Sequence, residues 1–517
     1  MNTKVPNTEI PSKKHDEPLH AQSDPRRWRA LAALGLIQFM LVLDVTVVNV
    51  ALPRIQHDLG FSRSGLAWVV NGYVLMAGGL LLLGGRLADI FGRRRVFLAG
   101  VSVFALASAT SGAAVTPAML VSSRFMQGAG EALAAPASLG LIALLFPDPR
   151  ERIKALGIWG GIAGLGGTTG TIISGALTDL ASWRWIFYIN LPVALITLLI
   201  VPRLVSESRM VREHHQRIDF AGAITATAGL VTIVDGLLQA ASHAWISWQV
   251  LLPLLAGVGL LAAMVAIEAR AEAPLIPLRF FTNRTRVVAN VVTLFGTSAF
   301  FSYFFHLTLF EQQVLGYSPL KGGLSYLPFG LAIGAGIGIG TGTALMPRLG
   351  VRPLLSVGFL GAAAGLLTTS LTIHVGSSYA TGVLPGMVVL GLFIGMTFET
   401  SANAALHQVT GQDASLASGV QNAMQQVGGA LGLACLVALA LRQMHSQIRH
   451  GVLPGVATTH GYALSFRIGA ALLTVGGLLV LALLERVTAQ PRNPIAELRI
   501  DPVPASGRRS FAGATPQ

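Results

Sequence analysis

The sequence predicts an all-α polytopic membrane protein, and three observations carry that expectation. Charged residues make up 11% of the chain and apolar ones 52%, with mean hydropathy +0.63. An ordinary soluble domain carries about 25% charged residues. Apolar runs of about 20 residues, enough to cross a bilayer core, recur along the 517 residues. Lysine and arginine, whose excess gives a net charge of +13, gather in alternate loops.

In chain order the apolar runs place spans near 30–53, 66–86, 96–115, 118–146, 153–178, 185–202, 219–241, 248–268, 287–311, 322–346, 354–374, 380–404, 415–441 and 462–485. The first 25 residues are polar and carry no secretory pattern, so the first run is expected to be a retained span. With the N-terminus in the cytoplasm, the cytoplasmic loops hold 17 Lys and Arg and the outer loops 6, or 7 with Arg467. The tails hold 11 more, and Arg124 alone lies inside a span. This bias predicts an even number of spans with both ends cytoplasmic, in a plasma or inner membrane. It assigns the basic charge to the anionic inner leaflet and not to nucleic acid.

The chain repeats itself. GGRLADIFGRRRV (84–96) follows the second span and GTALMPRLGVRP (342–353) the tenth. Aligning Gly92 with Gly350 gives an offset of 258, which also carries the start of the first span onto the start of the ninth. Two six-helix halves with an extra helix pair between them fit this arithmetic, and repeated halves around a midplane site are a transporter architecture. The expected organisation is a cytoplasmic tail at 1–27, a six-helix bundle at 28–203, a linker at 204–218, an inserted pair and loop at 219–286, a second bundle at 287–487 and a tail at 488–517.

Several motifs resemble one family. LDVTVVNVALP (43–53), WVVNGYVL (68–75), GGRLADIFGRRR (84–95), RFMQGAGEALAAPASL (124–139) and the glycine-rich 157–175 are similar to the major facilitator superfamily. WRWIFYINLPV (183–193), PLIPLRFFTNR (274–284), LGYSPLKGGLSYLP (315–328) and the fourteen spans narrow the resemblance to its drug/proton antiporters of the EmrB/QacA-like type. The resemblance covers about 28–487. It implies a major facilitator fold and proton-driven export of amphipathic, often cationic, compounds. In the fifth-span motif the usual proline is Thr171, and Ser174-Gly175 replaces a glycine pair. That departure leaves room for a porter of another solute, such as a metabolite or siderophore; a membrane sensor or scaffold is the rival of a different class.

The energy source follows by elimination. A phosphate-binding loop needs Gly-Lys followed by Ser or Thr. None of the five lysines, Lys4, Lys13, Lys14, Lys154 and Lys321, follows a glycine. Cys435 is the one cysteine, which excludes an internal disulfide and a multi-cysteine metal site. No enzyme activity, cofactor or metal is expected. The expected partners are an amphipathic small molecule, protons and the bilayer, and a monomer is expected.

Charge inside a span costs about 2.5–3.5 kcal/mol on insertion scales, so such residues are candidates for function. At about 100° per residue with Asp44 at zero, Gln38, Asn49 and Thr46 fall at about 120°, 140° and 200°. Asp44 therefore stands opposite the polar stripe of its own helix, which implies enclosure by protein. Thr46 and Asn49 suit helix packing; Asp44 can titrate. On the fourth span Arg124, Gln127, Glu131 and Ser138 share one stripe. Asp44 lies about 13 Å and Arg124 about 9 Å from the outer ends of their spans, so the two are expected to pair, directly or through one polar group. Asp44 and Arg124 are the candidate proton-coupling residues. Glu131 is the leading candidate for cation recognition, with Gln127, Gln38, Glu399, Gln421 and Gln425 as further substrate-binding candidates. Asp235 and Glu311 lie near outer helix ends, where interfacial solvation competes with function. Gly85, Asp89, Gly92 and Arg93 form a candidate latch. Gly160, Gly164, Gly167, Gly170 and Gly175 form the fifth-span packing or antiporter motif, with small-xxx-small spacing that lets helices approach closely.

Overall fold

In a computed structural model of the protein, residues 26–207, 219–271, 274–341, 349–405 and 414–485 are described. Fourteen helices among them are long and apolar enough to cross a membrane. In order these are α1 (Arg27–Leu59), α2 (Ala67–Phe91), α3 (Arg93–Gly112), α4 (Pro117–Leu145), α5 (Arg150–Leu180), α6 (Trp185–Leu204) and α7 (Phe220–Gln239). Then come α8 (Trp248–Glu268), α9 (Arg284–Val314), α10 (Pro319–Ile339), α11 (Val351–Thr372), α12 (Tyr379–Ala405), α13 (Leu416–Arg449) and α14 (Pro454–Leu483). The count agrees with the apolar runs.

Helix ends differ from the apolar boundaries most at the turn between the last two helices. Helix α13 runs on to Arg449, and α14 begins at Pro454. Hydropathy marks only the stretch that suits hydrocarbon, whereas polar residues such as Arg442 and Gln447 continue a helix freely. Pro454 occupies the first turn of α14, where its missing N–H costs nothing. Local chemistry fixes other ends. The Thr116 side chain accepts from Met119 N, and Asp148 accepts from Arg150 N and Glu151 N.

Because the spans are even in number, α1 begins and α14 ends at one face, here the terminal face. Helices α1–α6 pack among themselves, as do α9–α14. Helices α7 and α8 pack on each other, and α7 also lies on both α2 and α13. The inserted pair thus rides the α2–α13 seam. Thr227 of α7 fills the space beside Gly79 of α2, and Arg442 of α13 donates to the Ala240 and His243 carbonyls at 3.0 and 2.7 Å.

The repeat is visible in the backbone. Gly92 and Gly350, equivalent at the offset of 258, both take positive φ, 104° and 79°, at the start of the next helix. Only glycine adopts that conformation without strain. Residues 342–348 of the second motif copy lie outside the described residues.

At the terminal face Arg27 grips Glu151 with both nitrogens, at 2.6 and 2.7 Å, tying α1 to α5. Arg93 donates to Asp89 Oδ1 at 3.0 Å and to the Gly140 carbonyl at 3.1 Å. The candidate latch residues Asp89, Gly92 and Arg93 therefore fasten the α2–α3 turn to α4. Gly85 has only ordinary contact there, 3.6 Å to Pro136 for an added Cβ. Its neighbour Gly84 is the close approach, where an added Cβ would stand 1.9 Å from the Ala132 carbonyl oxygen. Overpacking of this kind costs about 1–3 kcal/mol or more. Gly84→Ala is expected to lower the Tm of the detergent-purified protein by several degrees while Gly85→Ala leaves it unchanged; equal values would contradict the α2–α4 packing.

Candidate functional site

Asp44 is fully buried at the middle of α1, and Arg124 of α4 is 1% exposed. The Arg124 Nη1 forms an ion pair with Asp44 Oδ2. Gln127 and Asn190 each donate to Asp44 Oδ1 at 3.0 Å. Arg124 Nε donates to the Val69 carbonyl at 3.0 Å, and Nη1 also to Gln127 Oε1 at 2.9 Å. Tyr73 lies under the guanidinium, 4.3 Å from ring centroid to charge, and adds a cation–π contact. The Asp44 carboxylate thus has three charged or amide donors drawn from α4 and α6, and the arginine is held by α2.

A second layer fixes the donors. Asn190 also donates to Ser108 Oγ at 3.0 Å, and Ser108 donates to the Phe187 carbonyl at 2.8 Å. Ser111 donates to Gln127 Oε1 at 3.2 Å. Five helices of one half, α1, α2, α3, α4 and α6, meet at this carboxylate. Such a network is strong because Asp44, Arg124, Gln127 and Asn190 satisfy one another away from water.

The expected Asp44–Arg124 contact is therefore direct, with no intermediary. Gln127 departs from expectation. It is fully buried, and both polar ends of its amide are taken by Asp44, Arg124 and Ser111. It supports the ion pair and has no polar atom left for a ligand. Thr46 and Asn49 bond back to main-chain carbonyls of α1, at 2.9 Å to Leu43 and 3.0 Å to Val45, as packing residues do. Asn190 and Ser108 were not singled out from the sequence. Their signal was faint: Asn190 is the amide within the motif WRWIFYINLPV.

Glu131 lies about two helical turns below Arg124 and is partly exposed. Its Oε2 and the Tyr73 hydroxyl are buried with no partner in full hydrogen-bond geometry, and the two groups lie close enough to interact with each other. Glu131 is the one acidic side chain of this half that has an unsatisfied oxygen next to the Asp44 network among the described residues. Gln38 and Gln425 are half-buried on α1 and α13. Gln421 is buried and donates to Thr293 Oγ1 at 2.8 Å, with its carbonyl oxygen unpartnered. Glu399 is in α12, and its side chain lies outside the described residues.

Glycines report where the halves touch. An added Cβ at Gly175 of α5 would stand 2.6 Å from the Pro319 carbonyl oxygen of α10, and one at Gly323 would stand 2.3 Å from that of Thr171. Gly170 is pressed on Thr46 of α1. Toward the terminal face the same helices part: Gly157, Gly160, Gly161 and Gly167 of α5 and Gly334 and Gly338 of α10 meet nothing. The surroundings of Gly164 lie outside the described residues. Helices α5 and α10 are closed at the face opposite the termini and splayed at the terminal face. The fifth-span glycines therefore divide, with Gly170 and Gly175 in contact and Gly160 and Gly167 in open space.

Comparison with known proteins decides the family. A family model described as Major Facilitator Superfamily matches residues 34–433. The chain belongs to the major facilitator superfamily. This superfamily member is a multi-pass membrane transporter, and its fourteen spans fit the fourteen-span drug antiporter type. It is 40% identical to the puromycin resistance protein of Streptomyces alboniger over 87% of this chain and 90% of that protein. It is 38% identical to the lincomycin resistance protein of Streptomyces lincolnensis, covering 80% and 84%. It is 37% identical to the cephamycin export protein of Amycolatopsis lactamdurans, covering 79% and 84%. Among solved structures, an auto-inhibited peptide transporter of the POT family matches with TM-score 0.66 at 16% identity over 90% of this chain and 99% of that one. A bacterial homolog of the human lysosomal transporter Spinster, inward-facing and unoccupied, matches with TM-score 0.62 at 17% identity over 89% and 97%. At those identities the structures speak for the fold alone.

The network gives an ordered set of costs. Arg124→Ala leaves a buried carboxylate without its cation, a loss of about 3–5 kcal/mol. Asn190→Ala removes one amide donor, about 1–3 kcal/mol. Thermal unfolding in detergent is expected to rank Arg124→Ala below Asn190→Ala and both below the parent; equal Tm values for the two variants would contradict the arrangement.

Proposed function

We propose that this transporter exports amphipathic, antibiotic-type compounds in exchange for protons by alternating access. The relatives' names supply the class of cargo, since they are resistance and export proteins for chemically different antibiotics. The single observation that supports the coupling is the Asp44–Arg124 pair, a titratable carboxyl enclosed at the meeting point of five helices.

The chemistry is that of a charge switch. With Asp44 ionised, attraction to Arg124 and two amide donors hold α1, α4 and α6 together. A proton on Asp44 removes the Coulombic attraction and turns an acceptor oxygen into a donor, so the same helices lose their strongest tie. A ligand or proton shifts a two-state equilibrium only by binding one state better, and this site offers different interactions in its two charge states. Glu131, partly exposed and with an oxygen left over, is the group we assign to attract a cationic substrate. The lysine and arginine distribution makes the terminal face cytoplasmic; on that reading the splayed α5–α10 cleft faces inward and this structure is an inward-facing state.

Energised cells carrying the protein are expected to expel ethidium or Hoechst dye, and a protonophore to abolish the efflux. Purified protein is expected to release protons on adding substrate, and Asp44→Asn to reduce that release. Unchanged release in Asp44→Asn would end the coupling role. Glu131→Gln removes a charge-assisted contact of about 1.5–3 kcal/mol, so cationic dyes are expected to bind about tenfold or more weakly while neutral substrates keep their affinity. Equal losses for both classes would remove Glu131 from cation recognition.

A further inference from the structure

The closure at the face opposite the termini consists of two contacts, and one buried carboxyl joins them. The last turn of α9, Phe310–Val314, is a π-helical segment. Its Gln312 donates to the Val50 carbonyl at 2.7 Å and its Gln313 to Gln56 Oε1 at 3.0 Å, both across to α1. The opening turns of α10, Pro319–Ser325, supply the second contact, through Pro319 on Gly175 and Gly323 on Thr171. Glu311 stands between them. Ser325 Oγ donates to its Oε2 at 2.8 Å, and Tyr317 N donates to its main-chain carbonyl at 2.9 Å. The Tyr379 hydroxyl of α12 donates to the Ser325 carbonyl at 2.6 Å and steadies the same turn.

Its place near a helix end leaves interfacial solvation and function equally open, and Glu311 is 0% exposed. Its Oε1 is buried without any hydrogen-bond partner. The ionisable groups that act around it are phenols: Tyr303 on its own helix, Tyr317 in the turn, Tyr326 on α10 and Tyr379 on α12. Lys321 Nζ lies over the Tyr317 ring at 3.8 Å. His306, on the same helix as Glu311, bonds Ser302 and Ser465 through Nδ1 and keeps Nε2 buried without a partner, and among the described residues no ion pair joins it or any other base to Glu311. Arg63 acts on Tyr462. A carboxylate ion withdrawn from water without a cation is costly, whereas the neutral acid is not.

We propose that Glu311 is a second proton-binding site, built into this closure and separate from Asp44. The closed face holds the carboxyl as the acid, with Ser325 donating to one oxygen and the proton on the other. When the face opens, water reaches the group. The O–H bond breaks, its electron pair stays on the carboxylate, and the proton passes to water on that side. Closing reverses each step. Acid on that side therefore favours closure there. The inference rests on the alternating-access reading and adds to it a proton site in the second half of the chain.

The test is a distance titration on the full-length protein in lipid nanodiscs, without substrate. Spin labels go on Leu180→Cys and Lys321→Cys, at the ends of α5 and α10, with Cys435→Ser. Between about pH 5 and about pH 9 the fraction of long distances is expected to rise in a step. Glu311→Gln keeps a partner for Ser325 and cannot ionise; it is expected to lose the step and stay short. Glu311→Asp restores a step, and Asp44→Asn retains it. The proposal is overturned if Glu311→Gln titrates like the parent, if it is open at every pH, or if Asp44→Asn alone abolishes the step. Dye efflux plays no part in this readout. A chain that expels no dye but shows the Glu311 step loses the export reading alone, and one that expels dye without the step loses this proposal alone.

Discussion

Much of the first half of this molecule depends on one carboxylate kept away from water. Burying Asp44 is tolerable because Arg124 arrives from another helix, and Arg124 is tolerable there because Val69, Gln127 and the face of Tyr73 receive it. Each helix that supplies a partner is thereby fixed in rotation. Apolar packing between transmembrane helices has no water to escape from and is weakly directional. The polar network provides the direction. The same dependence makes the arrangement responsive, because a single proton changes the charge on which five helices converge.

The two halves of the chain handle buried acid differently. Asp44 is surrounded by donors and stands deep in its bundle. Glu311 has one donor and an unsatisfied oxygen, and it stands where the halves touch. A satisfied carboxyl reports on its own bundle; an unsatisfied one reports on whether water is present. The seams between halves also differ. Along α2 and α13 the inserted α7 lies across the joint and Arg442 pins its far end. Among the described residues no such brace crosses α5 and α10, which are free to part. A body with one braced seam and one free seam turns about the braced one.

Much of this was legible in the sequence. Hydropathy returned fourteen spans, and the repeat offset paired two glycines that proved to share a left-handed backbone. Asp44 and Arg124 could be matched because charge in hydrocarbon is rare enough to stand out. Asn190 and Ser108 could not, because neutral polar residues are common in spans and their partners lie 146 and 79 positions away. Gln127 was placed on the right stripe with the wrong partner, since a helical angle gives direction but not what occupies that direction. For Glu311 the sequence leaves interfacial solvation and function equally open, because position along a span does not say whether neighbouring turns cover it.

The meeting of α5 with α10 carries one more consequence. Gly175 and Gly323 bring main chain against main chain, with carbonyl oxygens of Pro319 and Thr171 where side chains would otherwise stand. Closing most protein surfaces means freezing side chains, at up to about 2 kcal/mol for each long one. Glycine has no rotamer to freeze. This joint can be made and broken many times without sorting side chains at each pass, so little of the work of one cycle is lost in ordering the lock itself.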